Sequence, residues 1–361
     1  MPDDDRPTPL DETEPWLVGG DGDAVRTAAR LGVPTASLAL YARWWQLEAW
    51  LRELVYVELR ALHGREWGDV VRAASGRQSA DASYTHMQGA DNKNPLAYLD
   101  YSQIVSLIDG HWDTFEYALL TKKAWDGRQE ELKRIRHRIG HMRRPHLDDL
   151  GRLEQTLRDL ERGTFIALAS YNDDHVPDPD DHDDAVTRGW VQAEHDDAQR
   201  LIIHARRQYE TRLVVRSSAR PWVPAGERSG HGAGRLWHAD FYVSGRSVEA
   251  DRLWYDTDLN SIRELIVHFR CDGPHHVGFT FSGADDDVAV ADAIGTAFDA
   301  VLEHAPLWSA HLGDDVDEWR GALRNIDFRL LVDSAWMIVD SATLPITSFG
   351  SGGAVRSNPG W

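Results

Sequence analysis

The chain contains a single cysteine, Cys271, among its 361 residues. One thiol excludes an internal disulfide framework and a zinc site built from several cysteines, and it is typical of a reducing compartment. No apolar run approaches the ~20 residues that a membrane-spanning helix needs. The amino-terminal stretch is acidic and rich in proline, without the basic start and apolar segment of a secretory signal. The sequence therefore predicts a cytoplasmic protein that does not span a membrane.

Positive charge is also scarce, because 39 Lys and Arg stand against 59 Asp and Glu, a formal net charge of −20. This balance argues against a protein that binds nucleic acid over its whole surface, since phosphate contacts need a positive surface. The deficit is uneven along the chain. Residues 38–165 hold 19 basic and 19 acidic side chains, whereas residues 1–37, 166–187 and 188–361 carry net charges of −5, −7 and −8. A neutral block thus lies between acidic ones.

The first half of the chain has the hydrophobic period of helices. Apolar residues recur at three- and four-residue steps, which predicts helices at 36–62, 99–120, 128–141 and 147–160. The polar stretch 76–95, which contains Gly and Asn and ends in Pro, predicts a long loop. We therefore expect an acidic leader over residues 1–37 and an all-α helical bundle over residues 38–165.

The pattern changes after residue 165. Residues 172–184 contain seven Asp and two Pro, so residues 166–187 are predicted to be an acidic linker. Alternatively, this segment mimics nucleic acid and shields basic residues of the same chain. Residues 188–361 are predicted to form a mixed α+β domain of unknown role. Its strands are expected at 213–216, 236–243, 277–281 and 328–332, and its helices at 190–212, 261–269 and 288–303.

Side chains that could take part in catalysis are most concentrated in residues 131–146, ELKRIRHRIGHMRRPH, which contain six Lys and Arg and three His. Arginine can bind a phosphate through two N–H donors, and histidine is the side chain best suited to move a proton near neutral pH. Cleavage of an RNA phosphodiester needs both abilities at short range. A basic run on a helix is also typical of a solvated face, so the run alone leaves both interpretations open.

The order Arg136-His137-Arg138-Ile139-Gly140-His141 resembles the R-x4-H motif of HEPN domains, usually written R-N-x-x-x-H. Its surroundings resemble the Swt-one-like branch of that family, which has a helix like residues 47–67, a segment like residues 94–119, the motif helix and a final Leu-rich helix like residues 147–160. The resemblance covers about residues 38–165. It departs from the common form at His137, where the family usually has Asn, and at Gly140, where it usually has Ala.

The resemblance implies an all-α bundle that forms a homodimer, so that two motifs meet in one composite cleft. It implies a metal-independent endoribonuclease, without a cofactor, that leaves a 2′,3′-cyclic phosphate. Arg136 would bind the scissile phosphate and His141 would be the general acid or base. The supporting candidates are His137, Arg138, Arg143 and Arg144. Expected partners are RNA, a second copy of the chain, and an antitoxin or sensor protein, in a toxin-like or antiviral defence role. The alternative is a HEPN scaffold that dimerises and binds RNA or nucleotide without cleaving it.

Other groups of potential ligands carry weaker signals. His275 with His276, and His238 with Asp240, could bind a metal, but the sequence indicates no third ligand, and ordinary strand or loop residues are expected there. The Asp-rich segment 172–184 lacks the spaced ligands of a calcium loop. No metal site is therefore predicted.

Overall fold

The computed structural model describes residues 20–83, 95–169, 174–178, 180, 183–205, 207, 210–227 and 230–307. The strand predicted at 328–332 lies outside them, as do the leader before residue 20 and the tail after residue 307. The described chain is helical in its first half and contains a four-stranded antiparallel sheet in its second half. The prediction that an α-helical region is followed by a mixed α+β region is thereby confirmed. No helix among the described residues is both long enough and apolar enough to cross a membrane.

The first half of the chain forms seven α-helices within the described ranges. They are α1 (Gly20–Arg30), α2 (Thr35–His63), α3 (Ser75–Ala82), α4 (Tyr101–Gly110), α5 (Trp112–Phe115), α6 (Lys122–Gly140) and α7 (Asp149–Ala169). The helix predicted at 99–120 is divided at His111, where the backbone leaves helical geometry with φ −123° and ψ 36°. The loop predicted at 76–95 is helical over its first residues, because α3 extends to Ala82.

The second half of the chain alternates short helices with strands. Its elements are α8 (Ala198–His204), β1 (Thr211–Ala219), β2 (Arg235–Val243), α9 (Ala250–Trp254), α10 (Thr257–Ser261), β3 (Ile266–Gly273), β4 (His276–Ser282) and α11 (Asp287–Glu303). The strand order is β1-β2-β4-β3, and all neighbours are antiparallel. The helix predicted at 190–212 is reduced to a π-helical turn (Thr187–Val191) and α8, and residues 211–212 already belong to β1.

The prediction of a helix at 261–269 is wrong, since α10 ends at Ser261 and β3 begins at Ile266. Apolar residues at 262, 265, 266 and 269 have helical spacing. In the structure, all four side chains from Ile266 to Phe269 are buried. A strand that is buried on both faces lacks the alternation of an exposed strand, so its apolar spacing resembles that of a buried helix.

The chain divides into two compact units, one of residues 1–48 and 119–162 and the other of residues 49–118 and 163–361. This division differs from the predicted boundaries of 38–165 and 188–361. The second half of α2 belongs with the sheet, because the carboxylate of Glu58 is fully buried against the guanidinium of Arg220, just after β1. The two residues lie 162 positions apart, so no local sequence pattern predicts that they pair.

In the first unit, α6 and α7 are amphipathic and are joined by ion pairs. Their buried side chains include Trp125, Leu132 and Ile135 of α6 and Leu153, Thr156 and Leu157 of α7. Arg128 of α6 contacts Asp159 of α7 at 2.7 Å, and Arg152 of α7 contacts Glu131 of α6 at 2.5 Å. These contacts fix the helix that carries the R-x4-H motif.

In the second unit, the sheet has one apolar and one polar face. The apolar face packs against α11, with the rings of Phe241 and Phe298 5.1 Å apart. The second half of α2 lies against the polar face. The Tyr56 hydroxyl donates to the carbonyl of Val267 at 2.9 Å, and the Ser282 hydroxyl donates to the carbonyl of Arg60 at 2.7 Å.

The described residues of the predicted acidic linker also belong to this unit. His175 pairs with Ser217 of β1 in an isolated antiparallel bridge, through N–H···O distances of 2.9 and 2.8 Å. The Asp174 carboxylate contacts Arg216 at 3.0 Å. At residues 174 and 175 the segment is therefore bound to the sheet edge instead of forming a free tether, and the charge of Asp174 is already compensated.

Candidate active site

The R-x4-H motif occupies the last turns of α6 and its carboxyl-terminal cap. His141 caps the helix, and Met142 adopts the left-handed conformation with φ 52°. The N–H of Met142 bonds the carbonyl of Ile139 at 3.1 Å, and the N–H of Arg143 bonds the carbonyl of Arg138 at 2.9 Å. These two bonds are those of a Schellman motif, in which the left-handed position is usually Gly. The cap therefore gives the backbone around His141 a defined geometry.

The two principal candidates, Arg136 and His141, both reach solvent. Arg136 is half-buried and His141 is exposed. No ion pair or hydrogen bond joins the guanidinium of Arg136 to another described residue. A guanidinium without such partners can offer its N–H donors to a phosphate.

His137, the first departure from the family pattern, contacts His141. Their rings are 4.3 Å apart between centroids and meet edge to face at 65°. Both side chains are exposed, and the spacing of four residues places them on one side of the helix end. The charge of His141 is the main cause that lowers the pKa of His137, with smaller effects from partial desolvation and from the charge of Arg143. His137 is thus biased toward its neutral form.

Arg138 does not belong to the free cations of the site. Its Nε contacts Oδ2 of Asp149 at 2.7 Å, and its Nη2 contacts Oδ1 of the same carboxylate. Asp149 is buried and also accepts the backbone N–H of His146 at 2.9 Å. Burial raises the pKa of Asp149, but the hydrogen bonds from Arg138 and His146 outweigh it and hold the pKa below its usual value. Arg138 therefore fastens the turn after α6 and is removed from the set of phosphate ligands.

The remaining cations lie on the last two turns of α6 and in the turn that follows it. Arg143 and Arg144 are exposed in the turn, and Lys133 and Arg134 are exposed on α6. Like Arg136, none of these four forms an ion pair with a described residue. Of the seven basic residues between positions 128 and 144, only Arg128 and Arg138 are paired with acids of the part of the chain that the structure describes. We call the five unpaired cations the motif patch.

Asp149 orders the site, but its role was not predicted from the sequence. The burial of Asp149 depends on how the turn folds back, which spacing alone does not show. The His137–His141 contact, in contrast, was visible as a spacing of four residues on a helix.

One group of potential metal ligands lies next to the motif. His146, Asp148 and Asp149 bring ligand atoms within 4.8 Å of one another, the only such group of three among the described residues. Both oxygens of Asp149 are occupied by Arg138, and Asp148 is bonded to Arg152 at 2.8 Å. A cation would have to compete with two guanidinium groups, so these residues fit an ion-pair cluster better than a metal centre.

A second set of titratable residues lies on the polar face of the sheet. His238 is buried between the hydroxyls of Ser218 and Thr280, at 2.7 and 3.0 Å. Burial lowers the pKa of His238 to about 4. Next to it, the buried Asp240 pairs with Arg270. Gly278 leaves room for the Asp240 carboxylate, since a Cβ at that position would lie 2.5 Å from Oδ1 of Asp240.

The fully buried Glu58 completes this polar layer. It accepts hydrogen bonds from Arg220, from the Tyr117 hydroxyl and from the indole N–H of Trp222. Charges that are buried and bonded to one another in this way join elements of the fold. We therefore interpret this layer as the connection between α2 and the sheet, and we place the candidate chemistry at the motif patch.

Comparisons of the chain with protein-family models, curated proteins and solved structures found no match. The resemblance to HEPN domains consequently rests on the motif and its surroundings in the sequence, and the function has to be argued from the site.

Proposed function

We propose that the protein is a metal-independent endoribonuclease whose active site is the carboxyl-terminal end of α6. The observation that carries the proposal is that the half-buried Arg136, which forms no ion pair with another described residue, and the exposed His141 both reach solvent at the end of α6. In a protein with a net charge of −20, this patch is where a polyanion would be attracted. The resemblance to the R-x4-H motif supplies the reaction class.

The reaction would be an internal transesterification. The ribose 2′-oxygen attacks phosphorus, the bond from phosphorus to the 5′-oxygen breaks, and a 2′,3′-cyclic phosphate remains. Arg136 would bind the non-bridging oxygens and balance the charge that develops on them, assisted by Arg143 and Arg144 from the turn. His141 would accept or donate one of the two protons that move.

The biological setting follows from the family resemblance. We propose a toxin-like or defence effector that assembles as a homodimer, in which the region after residue 188 recognises a trigger, an antitoxin or a sensor protein. The sheet and α11 give that region a folded scaffold.

The test is RNA cleavage by the purified protein in the presence of EDTA. We expect tRNA or total RNA to be cut, and His141→Ala and Arg136→Ala each to reduce the rate by about 10²–10⁴-fold. The matched control is Arg158→Ala, since Arg158 is an exposed arginine of α7 outside the motif patch. Unchanged cleavage by His141→Ala would refute the assignment. RNA binding without any cleavage would favour the scaffold function.

A further inference from the structure

Two cations of the motif patch take no part in the proposed reaction. Lys133 and Arg134 are exposed on the turn of α6 that precedes Arg136, and neither forms an ion pair with another described residue. Side chains three and four positions apart are neighbours on a helix, at about 5–6 Å between Cβ atoms. Lys133 therefore lies beside Arg136 and His137. Arg134 lies beside His137 as well.

The acids on the adjacent turn leave these two cations without a counter-charge. Glu131 instead contacts Arg128 at 3.2 Å and Arg152 of α7 at 2.5 Å. Glu130 is exposed three positions before Lys133, and no ion pair joins the two side chains. Two positive charges thus remain for a ligand. The negative charge of Glu130 would repel an anion placed further along α6.

We propose that Lys133 and Arg134 bind the phosphate next to the scissile one in a single RNA strand. The inference rests on the proposed ribonuclease function and extends it by the substrate class, which is a strand that continues past the cleaved linkage along α6. Arg136 holds the scissile phosphate, and the preceding turn of the helix holds its neighbour. Because Glu130 follows on the next turn, the subsite takes one phosphate and not a longer part of the strand.

A second anchor aligns the reacting atoms. A strand held only at the scissile phosphate can turn about that contact, which moves the 2′-oxygen out of line with the bond that breaks. Contacts to a part of the substrate that does not react raise the rate when they hold the reacting groups in position. The inference is the same for a site within one chain and for a cleft shared by two chains, since both cations belong to the helix that carries Arg136.

The test combines protein variants with RNAs in which one phosphate is uncharged. The linkage that the parent protein cuts in a short RNA is mapped first. Two further RNAs carry a methylphosphonate on a 2′-O-methyl ribose, one at the linkage before the cleaved one and one at the linkage after it. Each is compared with an RNA that has the same 2′-O-methyl group and an ordinary phosphate.

We expect the double variant Lys133→Gln/Arg134→Gln to lower kcat/KM on the ordinary RNA by about 10-fold, as for the loss of one charge-assisted contact. At one of the two linkages, the methylphosphonate should lower kcat/KM of the parent by a similar factor, and the double variant should then lose nothing more. At the other linkage the two effects should multiply.

The matched control is Lys123→Gln, which removes an exposed lysine from the first turn of the same helix. It should cleave every RNA like the parent, because Lys123 lies ten positions before Lys133, about 15 Å along the helix axis. Circular dichroism of each variant verifies the fold. If the double variant does not fold, the parent alone decides: a loss at one linkage supports the inference, and unchanged cleavage with both methylphosphonates overturns it.

Failure of the inference differs from failure of the proposed function. A parent protein that cuts no RNA refutes both. A parent that cuts RNA, with an inactive His141→Ala and a double variant as active as the parent, overturns the inference alone. The inference is also overturned if the effects of the double variant and of the methylphosphonate multiply at both linkages, because the two cations would then act only through the general charge of the surface.

Discussion

At the residue scale, Gly140 is one of the two departures from the usual motif, and its effects on stability and on activity can be measured separately. It is the last helical residue of α6, and a Cβ built on it would meet no atom within 4 Å. Glycine in a helix is less stable than alanine by about 1 kcal/mol. We therefore expect Gly140→Ala to raise the free energy of unfolding by up to that amount, measured by urea denaturation, and to leave RNA cleavage unchanged. Lower activity in the stabilised variant would show that the site requires glycine at this position.

At the scale of elements, the contact of α2 with the polar face of the sheet predicts a dependence of stability on pH. Burial lowers the pKa of His238 to about 4, from 6.5 for a free side chain, and it also lowers the pKa of His268. Between pH 6.5 and 4 the unfolded chain binds the proton and the folded chain does not, so stability falls as the pH falls. For His238 alone the loss is at most about 3 kcal/mol, at 1.36 kcal/mol per pKa unit.

The measurement is urea denaturation at several pH values across this window. His238→Asn keeps a polar side chain and removes the titration, so its stability should depend less steeply on pH than that of the parent. Equal slopes for the two proteins would rule out His238 as a cause. Burial raises the pKa of Asp240, but His276 and Arg270 outweigh it and hold this pKa at about 2. The stabilisation from Asp240 is therefore lost only as the pH falls below 3.8, outside this window.

The elements also show what the sequence can predict. Helices α6, α7 and α11 and strands β2 and β4 follow from periodicity, because each has a buried side and a polar side or a clear apolar run. Strand β3 was predicted as a helix, since His268 and Phe269 are both buried and the alternation is lost. The motif residues were predicted from local order, but the pairing of Arg138 with Asp149 depends on a turn whose geometry the sequence does not contain.

At the scale of the whole molecule, the predicted bundle at residues 38–165 shares residues with both compact units. Helix α2 contributes Val55, Val57 and Leu59 to the buried interior, and Glu58 is bound by Arg220 and Trp222 of the second half of the chain. A fragment of residues 38–165 would leave Glu58 without these two donors and expose apolar surface. We expect this fragment to be aggregated or largely unfolded by circular dichroism and thermal denaturation, whereas residues 20–307 give a cooperative transition. A cooperatively folded 38–165 fragment would contradict the division into units.

The charge distribution of the whole molecule makes a last prediction about RNA affinity. The five cations of the motif patch form no ion pair with any other residue that the structure describes, while the net charge of −20 should repel RNA from the rest of the surface. Each neutralised phosphate of single-stranded RNA lowers the slope of log K against log salt by about 0.7, so we expect a slope no steeper than about −3.5 for RNA bound to one motif patch, and no steeper than about −7 for RNA bound across both patches of a dimer. The measurement uses His141→Ala, which we expect to bind without cutting, in fluorescence anisotropy titrations with a short labelled RNA. Adding Arg143→Gln and Arg144→Gln should make the slope shallower by about 1.4 for each patch that the RNA contacts, whereas Arg158→Gln should not change it. A slope for His141→Ala well beyond about −7 would mean that RNA contacts more cations than two motif patches hold, and would contradict a binding surface confined to them.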